Sequence, residues 1–161
     1  MTLSQSTKSR LQFQHETARE LIEGYNEEQL KLRILPDKWS AFENLAHLVS
    51  YQPVLQQRIG SILVESNPSF ERYVAENDPA FDASLQQPLE QLLLTLYSVR
   101  SQIWHQVQAL SGDQLVRVAL HSKYGELNIV QWIEFFLLHE AHHLFTMFKL
   151  LGEIGAKRER D

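Results

Sequence analysis

Three of the chain's seven histidines stand within five consecutive residues, His139-Glu140-Ala141-His142-His143, in the middle of a strongly apolar stretch. On a helix turning about 100° per residue, positions four apart lie about 40° apart, so His139 and His143 can aim their imidazoles at one point while His142 looks elsewhere. Glu140 follows directly on His139 and points about 100° away, which leaves it solvated or paired rather than coordinating. Two imidazoles on one helix face begin a divalent metal site, and a third ligand has to come from another helix. His47, set among Leu45, Ala46, Leu48 and Val49 rather than among charges, is the best-placed candidate. Three neutral imidazoles suit a borderline ion such as zinc or nickel, with iron or manganese admissible, and leave positions open to water or substrate. The competing reading is a hydrogen-bonded core. It is the simpler account of His47 taken alone, and spacing leaves the His139/His143 pair open between the two.

Composition narrows the chemistry. The chain has no cysteine, which excludes disulfides, thiolate metal sites and cysteine nucleophiles together. No serine triad, phosphate-cradling glycine loop or EF-hand pattern is present. A net charge of −5, with Lys and Arg dispersed along the sequence, offers no basic stripe, so nucleic acid is not an expected partner. The N-terminus lacks a signal-type apolar run and no later run reaches about 18 apolar residues, so the protein is expected to be soluble and cytoplasmic, without a membrane partner. With 161 residues, 43% of them apolar, and its prolines and glycines scattered, the chain reads as one domain over residues 1–161, loose only in its first few residues and from Lys157 to Asp161.

Four helical segments are expected to position these residues. Leu11 to Tyr25 carries a helical apolar spacing and forms helix one. Ser40-Ala41-Phe42-Glu43 is a capping box that starts helix two, which runs through Leu45, Leu48, Leu55, Ile59 and Ile62 with a kink near Val49 to Pro53. Ser66 to Gln86 reads as a long crossover with at most short helical turns. Helix three starts near Pro88, carries Leu92, Leu96, Ile103 and Val107, and stops with the help of Gly112. Leu115 to Leu127 alternates as a short extended segment, and Asn128 caps helix four, which is expected to end at Leu151 before Gly152.

Other polar residues carry bland readings first. Glu43 serves the cap at Ser40, though it could orient His47; Glu134 is expected to be exposed. Tyr73, Arg72 and Asp82 lie in the crossover, where a loop over a pocket could supply substrate contacts, and are otherwise surface residues. His121 and Tyr124 could reach the pocket rim. His15 and His105 read as ordinary helix residues.

Two motifs in this order, Trp39-Ser40-Ala41-Phe42-Glu43-Asn44-Leu45-Ala46-His47-Leu48 and His139-Glu140-Ala141-His142-His143 preceded by Tyr124-Gly125-Glu126-Leu127, resemble the DinB superfamily and its YfiT-like members over about Ser6 to Gly152. The resemblance implies an all-α four-helix bundle with a long crossover between helices two and three. It implies a metal on His47, His139 and His143, and frequent homodimerisation. It departs from the family at Phe145-Thr146-Met147, where many relatives carry a polar Gln. The reactions implied are thiol S-transfer, with a low-molecular-weight thiol as partner, or hydrolysis of a small electrophilic substrate. The alternative reading is a non-catalytic, dimeric metal- or ligand-binding stress-response module.

Overall fold

The computed structural model describes residues 1–158; of the chain end expected to be loose, Glu159 to Asp161 lie outside the described residues. Four long helical stretches make a bundle. The first is broken in two, α1 (Gln5–Phe13) and α2 (Glu16–Ile22), and is followed by the single turn α3 (Glu27–Leu30). The second is α4 (Ala41–Val64), the third α6 (Leu89–Gln108) and the fourth α8 (Ile129–Arg158), with α5 (Pro79–Leu85) in the crossover and α7 (Gly112–Leu115) after α6. α4 packs against both α6 and α8, and α1 closes the other side against the same two helices. No helix of the described residues is long and apolar enough to cross a membrane.

Local chemistry explains the starts. Glu43 N–H donates to Ser40 Oγ at 3.2 Å and Ser40 N–H to Glu43 Oε2 at 2.7 Å, the reciprocal box that begins α4. Asn128 and Gln131 repeat the arrangement at α8, at 3.0 and 2.9 Å. The stops differ more from expectation. Helix one starts earlier than Leu11, at a Ser4 cap, with Leu3 buried rather than loose. It also breaks at Gln14 and His15. α4 runs through Pro53 as one helix, as expected. Gly112 opens α7 instead of stopping α6, and a Cβ there would come within 3.0 Å of the Met1 backbone. α8 runs on past Gly152 because Leu150, Leu151 and Ile154 keep one face buried, which outweighs the roughly 1 kcal/mol helix cost of a glycine.

A small sheet joins the crossover to the approach of α8. β2 (Val118–His121) and β3 (Gly125–Asn128) form an antiparallel hairpin turning at Gly125, whose φ is 75°. β1 (Ser69–Phe70) pairs parallel to β2, with Phe70 opposite His121. Arg72 N–H then donates to Ser122 Oγ at 3.1 Å, so the crossover is tied beside the hairpin.

The core has two apolar clusters. One holds Phe42, Leu45, Leu96, Leu144 and Met147; the other holds Leu11, Ile59, Ile103, Trp132 and Leu137. Each such side chain contributes about 1.5–3 kcal/mol by leaving water. Along α4, α6 and α8 the polar residues Gln52, Arg100, His139 and Glu140 fall between the members of the two clusters. A polar layer therefore divides the core, and the candidate site lies on one side of it.

Candidate metal centre

His47 comes from the second turn of α4; His139 and His143 come from one face of α8. His139 Nε2 stands 3.1 Å from His47 Nε2 and 3.2 Å from His143 Nε2, and one nitrogen from each ring lies within 4.8 Å of the others. Two donors at about 2.0–2.1 Å from one ion in tetrahedral geometry stand about 3.3–3.4 Å apart, so these separations match ligands of a single small cation. His142 is exposed and takes no part.

Hydrogen bonding fixes which nitrogen is free. Asn44 Nδ2 donates to the Ser40 carbonyl at 2.8 Å, which turns Asn44 Oδ1 toward His143. His143 Nδ1–H donates to that oxygen at 2.8 Å, leaving the Nε2 lone pair toward the other two rings. His47 Nδ1 and His139 Nδ1 are buried with no hydrogen-bond partner among the described residues. Wherever those rings carry their protons, the two buried Nδ1 atoms stay unmatched, and with the protons on Nδ1 the three Nε2 lone pairs converge at the centre. A cation shared by the three Nε2 atoms relieves the crowding, so the residues fit a divalent ion.

Burial keeps the rings neutral. The His47 pKa falls to about 3, chiefly by desolvation and then by His139. His139 falls to about 4, by desolvation and then His142, and His143 to about 2, by desolvation and then the neighbouring histidines. Neutral imidazoles are the metal-binding form, so the site is poised at neutral pH without deprotonation. Aromatic rings frame it: Trp39 lies 5.1 Å from His47 and stacks at 6.0 Å on His143, Tyr51 lies 4.4 Å from His139, and Tyr73 lies 5.7 Å from His47, centroid to centroid. The histidines open onto a cleft of about 650 Å³.

The remaining sequence candidates divide. Tyr73, Arg72, His121 and Tyr124 all line the cleft. Tyr73 is more than a surface residue: its hydroxyl donates to Asp78 Oδ2 at 2.8 Å, and burial pushes its pKa well up, keeping it protonated. Asp82 is exposed and does not line the cleft. Glu43 serves the Ser40 cap and an ion pair with Arg33. Glu134 is not free in solvent, because Thr7 and Arg10 reach it from α1. Glu140 is paired and buried: it accepts from Arg100, and from Gln14 Nε2 at 2.9 Å. His15 is buried against Tyr97 at the break between α1 and α2, and His105 is exposed. Sequence reasoning missed Asn44, Tyr51 and Arg58. Tyr51 and Arg58 follow His47 by four and eleven residues on one stripe of α4, a periodicity that could have revealed them.

The DinB superfamily profile matches residues 10–147 of the chain. The uncharacterized protein YuaE of Bacillus subtilis strain 168 is 28% identical over 151 residues, covering 86% of this chain and 91% of YuaE. Among solved structures, YfiT of Bacillus subtilis, described as a probable metal-dependent hydrolase with an unusual four-helix bundle topology, superposes with a TM-score of 0.83 at 16% identity, over 96% of this chain and 91% of YfiT. The DinB-like protein YjoA of the same organism superposes with a TM-score of 0.63 at 16% identity, over 93% and 92% of the two chains. An uncharacterized protein of Clostridium difficile 630 superposes at 0.67 with 15% identity, over 95% of each chain. The profile match spans most of the bundle and both histidine motifs, so the chain belongs to the DinB superfamily.

Proposed function

We propose that the chain is a metal-dependent enzyme that holds one divalent ion on His47, His139 and His143 and turns over a small electrophile in the adjoining cleft, as a hydrolase. Zinc or nickel suits three imidazoles best, and iron or manganese is compatible. The observation that carries the reading is the convergence of three neutral Nε2 donors at the wall of an open cleft, rather than in a closed core. The description of YfiT as a probable metal-dependent hydrolase agrees with it. An ion in such a site supplies Lewis-acid activation of a nucleophile at its free coordination positions. The chain supplies the rest. Asn44 holds His143 in the coordinating tautomer, Trp39, Tyr51 and Tyr73 frame the site with aromatic rings, and the Tyr73 hydroxyl stays protonated, donating to Asp78.

Thiol transfer is the second reading, favoured by one pairing of facts. A cleft of about 650 Å³ has room for a second small substrate, and the chain has no cysteine, so a thiol nucleophile would be a low-molecular-weight cosubstrate. Homodimerisation belongs to this proposal as well, because Leu138, Phe145 and Phe148 are 65%, 59% and 59% exposed on α8, and a patch of that kind suits a second copy. Light scattering that finds a monomer at micromolar concentration would remove the dimer.

The test is metal analysis of purified protein, followed by hydrolysis and thiol-conjugation assays on small electrophiles with metal-loaded and chelator-treated samples. About one ion per chain, with turnover only when loaded, is expected. Stoichiometric metal without turnover of any electrophile would favour the non-catalytic binding module, and no stoichiometric metal would end the reading.

A further inference from the structure

The chain is acidic overall, with a net charge of −5, yet the cleft beside the histidines is cationic: Arg58, Arg72 and Lys123 line it against a single carboxylate, Glu76. Arg58 is the unusual member. It is only 8% exposed, and among the described residues no carboxylate lies within ion-pair distance of it. Its guanidinium donates to the Glu71 carbonyl at 2.8 Å and packs over Phe70 and Trp132, at 5.4 and 5.1 Å from the ring centroids. Those contacts fix the fork in place without neutralising it. A buried, uncompensated charge costs free energy that a structural role alone does not return, since an apolar side chain over Trp132 would pack as well. Desolvation lowers the Arg58 pKa, the direction expected of a cation lacking its anion.

The surroundings add donors. His121 Nδ1 accepts the Lys123 N–H at 3.0 Å, which leaves the neutral ring's Nε2–H as a donor. The pairing of β1 with β2 sets Arg72 beside Ser122 and brings the crossover and hairpin cations to one rim. Tyr51 links this corner to the metal centre: its ring lies 4.4 Å from that of His139, and its hydroxyl lies beside the Arg58 guanidinium.

We propose that Arg58, with Arg72 and Lys123 at the rim, forms an oxyanion subsite that holds the carboxylate or phosphate of a small organic acid, so that the molecule's other end reaches the three histidines. A planar guanidinium matches the two oxygens of a carboxylate or phosphate with parallel N–H donors. The aromatic walls suit an apolar body between the acid and the reactive group. This names the substrate class for the proposed enzyme and rests on that reading for its turnover, though not for its binding.

The experiment titrates phenylacetate, phenyl phosphate and the neutral analogue phenylacetamide into both chelator-treated and metal-loaded protein. Calorimetry and tryptophan fluorescence, to which Trp39 in the cleft wall and Trp132 beneath Arg58 contribute, report binding. In metal-free protein one of the two acids is expected to bind at one site at least about tenfold more tightly than the amide, and the tighter acid identifies the oxyanion. Raising salt should weaken the acid and leave the amide unchanged. Arg58→Met should remove the acid preference, Arg58→Lys should keep part of it, and Arg72→Ala with Lys123→Ala should weaken it about two- to fivefold by thinning the rim charge. If Arg58→Met does not fold, the wild-type comparison of acid with amide still decides. Equal binding of acid and amide, or an unchanged preference in a folded Arg58→Met, overturns the subsite. A preference for acid without stoichiometric metal would sink only the metal reading; stoichiometric metal without a preference would sink only this one.

Discussion

His139 and Glu140 are consecutive residues of α8 in the same polar layer, and they belong to opposite kinds of site. Glu140 faces the bundle axis. There Arg100 donates to it, Arg100 Nε donates to Gln52 Oε1 at 2.7 Å, Arg100 Nη1 donates to the Leu11 carbonyl at 3.2 Å, and Gln52 Nε2 donates to the Leu96 carbonyl at 2.9 Å. Donors and acceptors from α1, α4, α6 and α8 are consumed within the protein. About 100° around the helix, His139 meets two other rings only Nε2 to Nε2, and the buried Nδ1 atoms of His139 and His47 have no partner among the described residues. A satisfied polar cluster fixes how helices meet; an unsatisfied one at a cleft binds something. The same helix supplies both because one residue step separates their faces.

The largest expected effect lies on the satisfied side. Glu140→Ala leaves the 1%-exposed Arg100 guanidinium without its counter-ion, and should cost about 3–5 kcal/mol in chemical denaturation of the metal-free protein. Arg100→Met combined with Glu140→Leu should restore much of that loss, since removing both charges removes the desolvation cost. A single Glu140→Ala variant as stable as wild type would mean that the network does not hold the bundle together.

On the open side the expectation is reversed. His143→Ala should abolish stoichiometric metal binding and any activity, while changing metal-free stability by no more than about 1 kcal/mol. The sign of the pH dependence follows from the same burial. His15, His47, His139 and His143 are all held at about 4 or lower, against 6.5 in an unfolded chain. Between those values the unfolded state binds more protons, so stability should fall as pH drops from about 6.5 toward 4. Denaturation midpoints that stay flat from pH 7 to pH 5 would contradict the buried, neutral rings. His143→Ala should shallow the decline by removing one of the four groups.

What the sequence made legible follows this division. The His139/His143 pair is local, an i, i+4 spacing on one helix, and the two capping boxes are local too, so α4, α8 and the histidine faces could be read from neighbouring residues. His47 needed the family resemblance, because nothing local distinguishes a ligand from a core histidine. Arg72 and Tyr73 read first as surface residues of the crossover, with substrate contacts only as the alternative, and Lys123 is not singled out, because only the pairing of β1 with β2, about 50 residues apart, makes them one wall. Lys and Arg that look dispersed along the chain are gathered in space by that sheet. The satisfied network was equally hidden: the partners of Glu140 lie 40 and 126 residues away.

Asn44 sharpens the comparison, since it belongs to the metal side but acts as the network does, by fixing a neighbour. Asn44→Ala should leave three imidazoles and lower metal affinity about 10- to 100-fold, the usual weight of an outer hydrogen bond on a ligating histidine. Asn44→Asp should retain affinity, because a carboxylate accepts the His143 Nδ1–H as well. Competition titration with a chromogenic chelator separates the cases, and equal affinities for all three proteins would remove Asn44 from the site.

The smallest expected effect is on a second acid of the same helix. Glu134 and Glu140 both sit on α8 and both meet an arginine, but the side chains of Glu134 and Arg10 are each 33% exposed, whereas those of Glu140 and Arg100 are 1% exposed. Arg10 Nη2 donates to both Glu134 oxygens at 2.8 and 2.7 Å, and Thr7 Oγ1 donates to one of them at 2.5 Å. Water and salt still screen it. Glu134→Ala should therefore cost only about 0.5–1 kcal/mol, an amount that shrinks at high ionic strength, with metal binding unchanged. Denaturation of the two Ala variants side by side at low and high salt puts the argument at risk. If Glu134→Ala proved as costly as Glu140→Ala, burial would not be what distinguishes the two pairs, and the account of the polar layer as a desolvated network would have to be replaced by one based on hydrogen-bond geometry.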